Sequence, residues 1–148
     1  MSELSSSSSP KRPEFRNINA FKDLPGYRWP LAAIVSGMHR ISGLFMFVLM
    51  PFIVWLFDAS LSSEYSFARF TAAFNVGIGF VPGVVIKLLV GAIIWAYLHH
   101  FVAGLRHIRM DLSHHSVSKE AGLSSARWVL VLSAIPALAI YAKLFGLY

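Results

Sequence analysis

Cysteine is absent from the 148 residues. That excludes disulfides, thiolate zinc sites and iron-sulfur ligation within the chain, and leaves histidine as the principal soft metal ligand. Charge is scarce too. Asp, Glu, Lys and Arg together make 14% of the residues against 56% hydrophobic, where a soluble domain carries about 25% charged. With a mean hydropathy of +0.61, the composition is that of a membrane protein. Acidic groups are the rarest, seven against thirteen basic, for a formal charge of +6. The basic residues flank apolar runs and form no continuous soluble face. They therefore read as topology signals, and a nucleic-acid partner is excluded.

The sequence predicts an all-α membrane protein of three transmembrane helices. Residues 1–10, with serines at 5 to 9, hold too little apolar surface to fold and are expected to be a disordered tail. Residues 11–30 carry Lys11, Arg12, Arg16, Lys22 and Arg28 among prolines and a glycine, and read as an irregular basic lead-in at the membrane surface. The remainder, 31–148, forms the membrane unit, with spans predicted at about 31–57, 84–107 and 128–146, each near the ~20 residues a bilayer requires. Between the first two lies a polar loop with room for a short helix over 65–75. Between the last two, residues 106–127 read as a polar connection. Basic residues concentrate in the lead-in and in that connection (Arg106, Arg109, Lys119, Arg127), so the N-terminus is expected on the cytoplasmic side. With no recognisable transit peptide, a bacterial inner membrane is the expected location.

Two clusters carry chemistry. At ~100° per residue, His100, Gly104, His107 and Asp111 line one helical face, and titratable groups in or near lipid mark a functional site. Ser36, Arg40 and Gly43 share a face of the first span, with His39 alongside. Arg40 lies about ten residues into the first span and His100 about seven before the end of the second, so both fall ~10 to 15 Å below the same surface. A guanidinium and a hydroxyl can donate to a carbonyl or carboxylate. An imidazole beside a glycine suits a haem iron and its flat macrocycle. Periodicity does not choose between His99 and His100, and hydrogen-bonded interfacial histidines remain an alternative. Zinc is the weaker rival, because an i, i+7 pair is ~10 Å apart.

Arg12-Pro13, Arg28-Trp29-Pro30, Ser36-x-x-His39-Arg40-Ile41-Ser42-Gly43 and His100-x-x-x-Gly104-Leu105-Arg106-His107-x-x-x-Asp111 resemble the cytochrome b subunit that anchors succinate dehydrogenase, respiratory complex II. The resemblance runs from about residue 12 to the end and is to the larger of the two small anchor chains. It implies that His100 is an axial ligand of haem b, with a second small anchor subunit supplying the opposite histidine. It implies that Ser36 and Arg40 bind ubiquinone, and that His39, Arg40 and His107 lie at or near the haem propionates. Asp111 would take a supporting place on a proton path. FAD and iron-sulfur clusters would reside in flavoprotein and iron-sulfur partner subunits held on the membrane, so this chain alone would not oxidise succinate. A haem-free membrane scaffold or small transporter subunit is the alternative. A di-haem cytochrome would want two histidines on each of two helices, and the third span has none.

Overall fold

The computed structural model describes residues 17–147; the serine-rich tail expected at 1–10 lies outside the described residues. The lead-in is not wholly irregular. A four-residue helix, α1 (Ala20–Asp23), forms where Asn19 accepts hydrogen bonds from the Phe21 and Lys22 amides, the local capping that Asn offers better than most residues.

Helix α2 (Leu31–Leu61) begins directly after Pro30, whose φ of −62° is already compatible with a helix start. It is followed by α3 (Glu64–Asn75), opened by a capping box in which Ser63 and Ser66 satisfy each other's backbone amides. A two-residue antiparallel ladder, β1 (Gly77–Ile78) with β2 (Val81–Pro82), then reverses the chain. Gly77 sits at φ +111°, a backbone conformation that a side chain would strain. Helix α4 (Gly83–Leu112) starts after Pro82 as α2 starts after Pro30. A 3-10 turn (His114–Val117) leads to α5 (Lys119–Leu144), capped by Ser118.

Three of these helices are long and apolar enough to cross a membrane. Their bounds correct the sequence reading. Helix α4 continues to Leu112, five residues past 107, and α5 starts at Lys119, nine before Trp128. The segment expected as a polar connection is therefore mostly helix, with Arg106 and Arg109 on α4 and Arg127 on α5. Hydropathy marks the lipid-embedded part of a helix, and a helix that continues into the headgroup region keeps its backbone bonds while its side chains turn polar.

Among the described residues one small buried core forms, from Val35 of α2, Ala103 of α4, and Ala126 and Val129 of α5. Most large apolar side chains face outward, as expected where lipid is the solvent and helices associate through small residues and close backbones. The far end shows the same device. Gly91 of α4 receives the ring of Tyr141 on α5, where a Cβ would collide, and the Tyr141 hydroxyl donates to the Leu88 carbonyl at 3.2 Å. The core lies toward the start of α2 and the end of α4, the level at which the histidines occur.

Candidate functional site: a histidine column between two spans

Helices α2 and α4 run antiparallel and bring the two sequence clusters together. The His100 Nδ1 lies 3.0 Å from the His39 carbonyl and 3.3 Å from the Ser42 hydroxyl. A carbonyl only accepts, so this contact makes Nδ1 the protonated nitrogen, with the lone pair on Nε2. Ser42 itself donates to the His39 carbonyl at 2.8 Å, which fixes the acceptor end of the bond. The ring lies against the α2 backbone at Gly43, where an added Cβ would come within 2.7 Å of Cε1. Nε2 has no partner among the described residues, and an imidazole held by Nδ1 on a carbonyl with Nε2 left over is the standard arrangement of a metal-ligating histidine.

His39, half-buried, stacks on His100 with ring centroids 4.2 Å apart and 22° between planes. Its other side approaches His107, at 5.0 Å and 36°. The three rings form a column with His39 in the middle. Rings stacked in this way do not point their nitrogens at a common centre. Among the described residues no three His, Asp or Glu side chains are grouped so as to hold one ion. Gly104, expected to leave room for a macrocycle, instead lies opposite the His39 imidazole, at ordinary contact distance for a Cβ.

His99 has the same chemistry and the opposite surroundings. It is 0% exposed, its Nε2 lies 3.5 Å from the Val35 carbonyl, and Trp95 lies against it at 5.4 Å. Its Nδ1 is buried without a partner among the described residues. His99, Ala103 and Arg106, at offsets of four and seven, make up the buried face of α4; His100, Gly104 and His107 lie one residue further round.

Arg106 is a residue whose place the sequence reading missed. It is nearly buried and donates through Nε to the Ser125 hydroxyl at 3.0 Å and through a terminal nitrogen to the Gly122 carbonyl at 3.5 Å. These bonds clamp α4 to α5 and so set the rotation of α4 about its axis. The signal was its i, i+7 offset from His99, which places it on the core face. Ser42 lies within a motif too, and its contact with His100 depends on the same rotation of α4.

Of the other expected residues, Ser36 is half-buried and Arg40 exposed, and neither side chain makes a hydrogen bond among the described residues. Ser36 thus differs from Ser42, Ser60 and Ser133, whose hydroxyls all bond back to their own helices. Asp111 is exposed and unpaired among the described residues. The site therefore offers one oriented imidazole nitrogen, with a free hydroxyl and guanidinium one turn apart on the neighbouring helix.

The family model described as the succinate dehydrogenase/fumarate reductase transmembrane subunit matches residues 12–140. The chain is also similar to two succinate dehydrogenase cytochrome b556 subunits. It is 35% identical to that of Coxiella burnetii (strain RSA 493 / Nine Mile phase I) over 113 residues, covering 76% of this chain and 85% of that protein. To that of Paracoccus denitrificans it is 34% identical over 99 residues, covering 67% and 71%.

Proposed function

This chain belongs to the succinate dehydrogenase/fumarate reductase transmembrane subunit family, and from that premise we propose that it is the haem b-binding anchor of a succinate:quinone oxidoreductase. The observation that carries the reading is the His100 ring, held through Nδ1 on the His39 carbonyl at 3.0 Å with Nε2 free. The donor set fits the group: His100 Nε2 would bind the iron, and the Ser42 hydroxyl and Gly43 backbone would hold the ring's orientation. Haem b, when bound, supplies a one-electron centre within the membrane. The stacked His39 is turned away from such a role, and a second histidine for the iron would come from a second small anchor subunit.

Arg40 and Ser36 are the quinone-binding pair. Their unpartnered donors stabilise negative charge developing on a ubiquinone oxygen as it is reduced, the effect of donors already in place before the charge appears. His39, Arg40 and His107 would receive the haem propionates, and Asp111 at the end of α4 would pass protons between that surface and the site. The flavoprotein and iron-sulfur subunits, with FAD and clusters, are held on the same side, where succinate is oxidised. The excess of basic residues in the lead-in and around the end of α4 favours a cytoplasmic N-terminus in a bacterial inner membrane. The membrane unit runs from residue 31 onward, with the lead-in lying on its surface.

Arg40→Ala tests the quinone role. In the assembled complex it is expected to lower succinate:ubiquinone activity at least ~10-fold, the scale of losing one charge-stabilising donor, while succinate oxidation by an artificial acceptor is retained. Equal loss of both activities would remove Arg40 from the quinone site.

A further inference from the structure

At the end of the bundle away from the histidines, α2, α3 and α4 line a partly open cavity of about 670 Å³, within the ~300 to 1,000 Å³ range of small-molecule sites. Asp58 lies 19 residues beyond His39 on α2, ~28 Å along the axis, so this cavity is separate from the histidine column. Its floor is apolar, from Phe52, Leu89 and Ile93, while Asp58 and Arg69 stand among the residues that line it. These opposite charges share one cavity without pairing with each other. Asp58 Oδ1 accepts from the Ser62 hydroxyl at 2.7 Å, and Oδ2 has no partner among the described residues. The Arg69 guanidinium stands 5.9 Å from the centre of the Tyr65 ring and is otherwise free among the described residues.

An apolar slot with an unpaired carboxylate and an unpaired guanidinium matches an amphiphile that carries both charges on one head. We propose that this cavity binds a diacyl phospholipid with an ethanolamine-type headgroup, its phosphate on Arg69, its ammonium on Asp58 and an acyl chain along the floor. A purely anionic head would leave Asp58 facing like charge. A choline head has no N–H to give the free Oδ2, whereas a primary ammonium has three. The six helical steps from Phe52 to Asp58 give the slot ~9 Å of depth, room for the upper part of an acyl chain. The site is separate from the quinone and haem reading, which enters its test only through the spectrum that checks assembly.

The test uses the purified whole complex in nanodiscs of phosphatidylcholine containing a minor fraction of phosphatidylethanolamine with a photoactivatable acyl chain. Crosslinks are expected to concentrate in peptides from 52–93. Unlabelled phosphatidylethanolamine should displace the probe better than phosphatidylcholine or phosphatidylglycerol by roughly two- to fivefold, the reach of partly exposed charge contacts. Asp58→Asn should erase the preference over phosphatidylcholine, and Arg69→Ala should weaken labelling by every phospholipid; an unchanged reduced-minus-oxidised spectrum would show that each variant is assembled. Labelling spread evenly over the lipid-facing helices, equal displacement by all three headgroups in the wild type, or a co-purified quinone that phospholipid does not displace from these peptides would each overturn the proposal.

Discussion

Helix α4 presents two adjacent faces that use the same residue type in opposite ways. On one, His99 is enclosed with Val35 and Trp95, and Arg106 reaches across to α5. On the other, His100 is pinned at one nitrogen and left open at the second, with His39 and His107 stacked beside it. One step of ~100° separates a packing histidine from the one proposed as the haem ligand. The buried face fixes the angle at which the open face is offered, so a site of this kind depends on helix contacts that touch no ligand.

That division gives graded expectations. Arg106→Ala removes two hydrogen bonds from a charged donor, each worth ~1.5 to 3 kcal/mol. It should shorten the half-life of the complex in detergent more than any other change on the buried face; an unchanged half-life would mean that α4 is oriented by something else. Next is Gly43→Ala, which drives a methyl into the His100 ring at a cost of ~1 to 3 kcal/mol. Here the readout is the position and intensity of the reduced haem band, and a wild-type spectrum would show that His100 does not lie against α2. Ser42→Ala is milder, ~1 kcal/mol for a neutral hydrogen bond. It should ease haem loss on dilution in detergent while leaving assembly intact, and loss of assembly without loss of haem would contradict it. Asp111→Asn, on an exposed and unpaired side chain, should stay within ~0.5 kcal/mol in stability. A large fall in complex half-life would show Asp111 to be a structural contact after all.

Much of this was legible in the sequence. The three spans follow from apolar length, and Pro30 and Pro82 mark two of their starts closely. The meeting of Ser36–Gly43 with His100–His107 follows from antiparallel spans and equal depth. What was not legible depends on rotation and continuation. Lys119 to Arg127 read as a connection because hydropathy falls there, although Ser118 caps a helix that simply leaves the hydrocarbon. The bond from His100 to the His39 carbonyl, and the stacking of His39, depend on how α4 is turned by Arg106, Ser125 and Gly122. Nothing in the period of α4 encodes that turn, which is why spacing alone did not separate His99 from His100.

We propose His100, and not His99, as the ligand, and the most direct measurement is the dithionite-reduced minus oxidised spectrum of the purified complex carrying His100→Leu, beside one carrying His99→Leu. The b-type signal should vanish or be replaced by a weak, shifted band in His100→Leu and persist in His99→Leu. The reverse pattern, or a signal unaltered by both changes, would contradict the assignment of His100 as the ligating face.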